Sequence, residues 1–176
     1  MTERQKKVLE LLDQHGETLH RLLARLTRCE HTTRDLMQEL FIRLSCTGAF
    51  DKAKNPYAYA WKAAVNLAFQ WRRRKKTVPL SASIPLEDAF AGDEESRIIQ
   101  EEQIQRVLEI TASFNELARQ VIVMRFIEQH SYEEMADRLG KKPDYLRALC
   151  SKSLTRLRTI LNRESAEHTN REVCHE

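Results

Sequence analysis

The chain has 176 residues, enough for one ordinary domain or two small ones, and holds only four glycines and four prolines. With 31% charged and 41% apolar residues it is neither a disordered polyelectrolyte nor an all-β fold built on many turns, and no apolar run reaches the ~18 residues of a membrane span. The net charge of +3 hides an uneven distribution: residues 1–76 carry 16 Lys+Arg against 8 Asp+Glu, residues 77–116 carry 2 against 9, and residues 117–176 carry 11 against 9. Blocks of one sign read as two modules and a connector.

Apolar residues recur at helical spacing along nearly the whole chain, and no stretch alternates as a strand would. The expected fold is all-α. Val8, Leu11, Leu12, Leu19, Leu22, Leu23 and Leu26 predict a first helix, with Gly16 as a candidate break. A second helix is expected over 33–45, with Leu36, Met37, Leu40, Phe41 and Leu44 on one face, and Ser45-Cys46-Thr47-Gly48 as a loop. Asn55-Pro56 reads as an N-cap followed by proline at the first helical position. The helix it opens should run to about Lys76, with Tyr57, Ala60, Trp61, Ala64, Ala68 and Trp71 as its buried stripe. Three helices thus make the first module, residues 1–76.

Residues 77–96, with Pro79, Pro85, Gly92 and several acidic side chains, form the expected flexible linker. Helical pattern resumes near Arg97 and continues through Ile98, Ile104, Val107, Leu108 and Ile110. Leu117, Val121 and Met124, beside Ile122 and Phe126, form adjacent stripes of one further helix. Ser131-Tyr132-Glu133-Glu134 matches a capping box, and Gly140 is placed to end that helix. Pro143 then opens a last helix with the stripe Leu146, Leu149, Cys150, Ser153, Leu154, Leu157, Ile160 and Leu161. A capped short helix, a glycine turn and a longer basic helix make a helix-turn-helix pattern. The second module is placed at 97–163, with 164–176 as a tail.

Three constellations stand apart from the core stripes. On the last helix Tyr145, Arg147, Ser151 and Lys152 lie off the apolar side, where a helix-turn-helix meets base edges and phosphates; an ordinary solvated face has the same look. The run Arg72-Arg73-Arg74-Lys75-Lys76 exceeds what helix capping needs, and Tyr59, Lys62, Asn66, Phe69 and Arg73 share the face opposite the buried stripe. Aromatic, amide and cationic groups on one face suit unpaired bases and phosphates better than a membrane surface, where aromatics and cations separate. On the 33–45 helix Asp35, Gln38, Glu39 and Ile42 form a second face. There an apolar residue is ringed by acidic and amide groups, as a protein partner with basic residues would require. Cys29, Cys46, Cys150 and Cys174 show no CxxC spacing, and the six histidines show no HExxH pattern. No metal, no cofactor and no enzymatic activity are expected. Cys46 and Cys150 read as small apolar residues.

These motifs together resemble a known family. Arg34-Asp35-Leu36-Met37-Gln38-Glu39-Leu40-Phe41-Ile42-Arg43 resembles a characteristic helix of bacterial sigma factors. Phe50, the segment from Tyr57 to Ala68 and the basic run resemble the region C-terminal to that helix in the extracytoplasmic-function (ECF) group. Ser131 to Gly140 resembles that group's helix-turn-helix entry. The resemblance implies a sigma region 2-like module and a sigma region 4-like module. It implies core RNA polymerase as partner, held by Asp35, Gln38, Glu39 and Ile42 on the β′ clamp helices and by the β flap. It implies promoter DNA as the second partner, with Phe50, Tyr59, Lys62, Asn66 and Arg73 at the −10 element and Tyr145, Arg147, Ser151 and Lys152 at the −35 element. An anti-sigma partner, a cytoplasmic location without membrane insertion, and an acidic linker threading basic polymerase channels are implied in the same way. Leu149 and Leu154 stand where the family often has arginine, and their place on the apolar stripe predicts burial. The rival reading is a helix-turn-helix regulator that uses the second module alone. It leaves the faces around Ile42 and Asn66 without a purpose.

Overall fold

A computed structural model describes residues 2–75 and 94–173; most of the expected linker lies outside the described residues. All the regular structure among the described residues is helical, with no strand. By internal contacts the chain forms two compact units, Met1–Gln105 and Arg106–Glu176.

The first unit is built from α1 (Glu3–Thr27), α2 (Glu30–Cys46), the one-turn α3 (Gly48–Asp51), α4 (Pro56–Lys75) and the first part of α5 (Glu94–Ala112). The start of α1 is a capping box: the Thr2 hydroxyl accepts from the Gln5 N–H at 3.3 Å, and the Gln5 side chain accepts from the Thr2 N–H at 2.8 Å. Gly16 does not break this helix. A glycine costs about 1 kcal/mol in a helix interior, but Leu11 and Leu19 on either side are both buried, and tertiary packing outweighs the local preference. Arg28 ends α1 in a left-handed conformation, φ 56°, with its N–H donated to the Ala24 carbonyl. Two hydroxyls, Thr27 and Thr33, bond each other at 2.8 Å across the α1–α2 turn, so α2 begins three residues earlier than the apolar pattern predicts.

The expected loop at 45–48 is shorter than read: Ser45 and Cys46 complete α2, and Gly48 already opens α3. The Asn55 side-chain oxygen accepts from the Ala58 N–H at 2.9 Å, the N-cap that the Asn-Pro pair predicts. α1 packs on both α2 and α4, and the core they share includes Leu19, Leu23, Leu26, Leu40, Leu44, Val65 and Leu67. One face assignment is overturned: Phe69 is 0% exposed. With Val65 and Leu67 also buried, α4 is covered on more than one side, so its apolar stripe is broader than the expected one.

The second unit comprises the end of α5, α6 (Glu116–Ile122), a π-helical turn (Val123–Ile127), α7 (Tyr132–Leu139) and α8 (Pro143–Val173). Asn115 caps α6 by accepting from the Ala118 N–H at 2.8 Å. Ile110, Phe114, Ala118, Ile122 and Leu157 form one core cluster, with Val107, Leu149, Ile160 and Leu161 packed against it. The π turn corrects one stripe. Residues four apart no longer stack when the turn widens, so Phe126 does not follow Ile122 inward and is 51% exposed. α7 carries the predicted capping box, Ser131 with Glu134, and ends at Gly140 in the left-handed region, φ 62°. Leu149 and Leu154 are half-buried, so the stripe of α8 is wider on this side but not sealed. The helix continues to Val173, so much of the expected tail is helical; Arg106 binds Glu164 in the extension.

Cys150 is buried as an apolar residue would be, whereas Cys46 is exposed. The connector boundary also shifts. α5 up to Gln105 belongs to the first unit, and Ile98 and Ile104 on it are exposed. Arg28 binds the Glu101 carboxylate with both Nε and Nη2, and Gln105 donates to Glu101 at 2.8 Å. Arg72, 4% exposed, donates to the Leu26 carbonyl at 2.6 Å and to the Gln105 side-chain oxygen at 3.0 Å.

The hydrogen bond from Arg28 holds the Glu101 carboxyl below its ordinary value against the opposing effect of burial, with Gln105 and Arg72 adding to it. A carboxyl whose folded pKa is depressed contributes stability above its unfolded pKa, about 4.3 for Glu, and loses it as pH falls through the folded value. The melting temperature of the first unit is therefore expected to fall on acidification below about pH 4.3. Glu101→Gln should flatten that acid limb in a pH series of thermal melts. An unchanged limb would remove Glu101 from the account.

Candidate functional site

In the first unit, α2 presents Asp35 and Gln38 to solvent, with Glu39 half-buried beside them. Ile42 is 60% exposed at the next turn. This is the arrangement the spacing predicts, because 35, 38, 39 and 42 fall on one helical face while Leu36, Leu40 and Leu44 turn inward. His31 lies 3.1 Å from the Asp35 carboxylate at the exposed start of the same helix.

The face of α4 is brought together only in part. Lys62 and Arg73 are exposed, and Tyr59 and Asn66 are half-buried. Phe50 is a correction: at 2% exposed it is a core residue, with its ring centroid 6.0 Å from that of Tyr59. The physical reason is α3. One helical turn in place of an open loop rotates Phe50 inward, beneath the half-exposed Tyr59. Phe50 thus lies beneath a surface aromatic and is not itself on the exposed face. Arg4 at the start of α1 pins the same turn, reaching the Asp51 carboxylate at 2.7 Å.

In the second unit Tyr145, Arg147, Ser151 and Lys152 are all exposed on the N-terminal half of α8. Arg147 bonds Asp144 at 2.9 Å and lies 5.2 Å from the centroid of the Tyr132 ring. Arg125, from the π turn, lies 5.1 Å from the same ring. Two guanidiniums against one tyrosine tie α7 and the π turn to the helix that carries the expected DNA contacts. Burial, and the neighbouring Cys150 thiol, push the Tyr132 hydroxyl above its ordinary value, so it stays neutral. Arg125 could not be found from the sequence, since its pairing with Tyr132 depends on how the π turn folds back.

One cleft also escaped sequence reading. Glu39 and Arg43 of α2 face Gln70, Arg73 and Arg74 of α4 across an open depression of about 520 Å3. Its residues come from two helices distant in sequence, and spacing along either one alone could not reveal it.

Comparison with known proteins places the chain in a family. A model of sigma-70 region 2 matches residues 11–78, and a model of sigma-70 region 4 matches residues 112–159; together they cover more than half of the chain. The chain belongs to the sigma-70 family of RNA polymerase sigma factors, within its ECF group. It is similar to the ECF RNA polymerase sigma factor SigX of Bacillus subtilis, at 25% identity over 73% of this chain and 70% of that protein. It is also similar to the ECF RNA polymerase sigma factor SigE of Mycolicibacterium smegmatis, at 27% identity over 90% of this chain and 63% of that protein. Among solved structures, CnrH in complex with the cytosolic domain of CnrY aligns over 92% of this chain and 91% of that one, with a TM-score of 0.48 and 18% identity.

Proposed function

We propose that the chain directs core RNA polymerase to promoters by gripping the β′ clamp helices with Asp35, Gln38, Glu39 and Ile42 while reading DNA with its two other surfaces. Tyr59, Lys62, Asn66 and Arg73 are assigned to the −10 element, with Phe50 as the buried support of Tyr59. Tyr145, Arg147, Ser151 and Lys152 are assigned to the −35 element, and the second unit to the β flap. Strand separation then draws on binding energy: stacking on Tyr59 and phosphate contacts offset the few kcal/mol lost per unstacked base. The chain supplies surfaces, and the polymerase supplies the chemistry.

The observation that carries this reading is the exposed Ile42 at the centre of an acidic and amide face, in a chain that also holds a helix-turn-helix. A regulator acting on DNA alone has no use for such a face. An anti-sigma protein as regulator and a cytoplasmic location belong to the same proposal. Among the described residues no helix is long and apolar enough to cross a membrane.

In vitro transcription with purified core polymerase and a promoter library tests the reading. Transcripts with defined start sites, dependent on added chain, are expected. DNA binding without retention of core polymerase, and without transcripts, would favour the helix-turn-helix regulator instead.

A further inference from the structure

We propose that the polymerase-binding surface does not end on α2 but crosses the open cleft onto the last turns of α4, where Gln70, Arg73 and Arg74 complete a mixed-charge groove for a protein segment carrying both acidic and basic side chains. This rests on the reading of α2 as the polymerase-binding helix. The cleft of about 520 Å3 has Glu39 and Arg43 on one wall and Gln70, Arg73 and Arg74 on the other. Each wall follows from helical spacing: 39 and 43 are one turn apart, as are 70, 73 and 74. α2 and α4 pack directly on each other, so the two rows open onto one gap.

The mixture of charge decides the class of occupant. A nucleic-acid backbone offers only negative phosphates, and the Glu39 carboxylate would repel them from inside the cleft. Grooves that track single strands pair cations with aromatic platforms. This lining holds no aromatic ring. A helical protein segment with both signs satisfies every wall: its carboxylates accept from Arg43, Arg73 and Arg74, and its cations meet Glu39.

Continuity points the same way. Glu39 belongs at once to the cleft and to the α2 face, and Ile42, 60% exposed, adjoins Arg43 in sequence. An apolar anchor beside a charged rim is the usual anatomy of a protein interface. Arg43, Gln70 and Arg74 thus join the polymerase contacts, and Arg73 stands where this surface borders the −10 face.

The test measures affinity of the full chain for core RNA polymerase without DNA. Gln70→Glu sets a carboxylate among three arginines, so the fold is expected to be unharmed, as circular dichroism melts would check. Core affinity should nonetheless fall roughly tenfold, and Arg74→Glu should act in the same direction. Unchanged core affinity, with weaker and less salt-dependent promoter binding by the holoenzyme, would make the cleft a DNA-backbone site and overturn the proposal. No change in either measurement would also overturn it. Ile42→Asp, measured in parallel, separates the two levels. If it leaves core affinity intact, the α2 reading itself fails; if it alone weakens binding, only the extension onto α4 fails.

Discussion

Ile42→Asp is expected to lower the affinity for core RNA polymerase roughly a hundredfold while leaving the helical content and melting temperature of the chain unchanged. The size follows from interface energetics. An apolar anchor near the centre of a protein interface is worth about 2–4 kcal/mol, and each 1.4 kcal/mol is a factor of ten. An aspartate there adds a carboxylate to a face that already has Asp35 and Glu39, and its desolvation finds no compensating partner. The fold is spared because Ile42 is 60% exposed, while Leu36, Leu40 and Leu44 hold α2 in the core. Titration of labelled chain against core polymerase, beside a thermal melt, separates the two effects. Retained affinity would remove α2 from the interface.

Arg72→Ala should destabilise the first unit by roughly 3 kcal/mol, whereas Arg73→Ala and Arg74→Ala should each stay within about 0.5 kcal/mol. The three arginines are consecutive and look alike in the sequence, but they stand in different environments. Arg73 and Arg74 are exposed. Arg72 is 4% exposed, and its loss leaves the Leu26 carbonyl and the Gln105 side-chain oxygen without the donor that reaches them. Glu101 also loses part of the positive field that keeps it ionised. Denaturant unfolding of the three variants checks this, and equal small losses would show that Arg72 is not an anchor. Arg72 is therefore an architectural residue inside a run that charge alone assigns to nucleic acid.

Much of the architecture was legible because it rests on local signals. The caps at Asn55 and Ser131 and the left-handed Gly140 all appear where short-range rules put them. So does the apolar periodicity of α1, α2 and α8. The exposed faces around Ile42 and Arg147 followed from the same periodicity, since a residue off the stripe of a single-faced helix must meet solvent. Misreadings occur where a helix is buried on more than one side or changes its pitch. Phe69 lies opposite the chosen stripe of α4, yet it is fully buried because α4 is covered on several sides. Phe126 falls one helical step from Ile122, yet it is exposed because the π turn rotates it away. Phe50 turns inward because Gly48–Asp51 closes into a helical turn.

The order of helices, their caps, the charge blocks and the family resemblance are properties of residues close in sequence, and they rest on backbone sterics and helical period without knowledge of the rest of the chain. The tertiary structure decided the rest. Arg72 meets Gln105 from 33 positions away, and Arg28 meets Glu101 from 73. The cleft likewise joins Glu39 and Arg43 to residues of a helix distant in sequence. No local rule reaches across such separations. Which arginine of a basic run is buried, and which faces a partner, depends on the neighbour that packing brings beside it, because burial and pairing alone distinguish one guanidinium from the next.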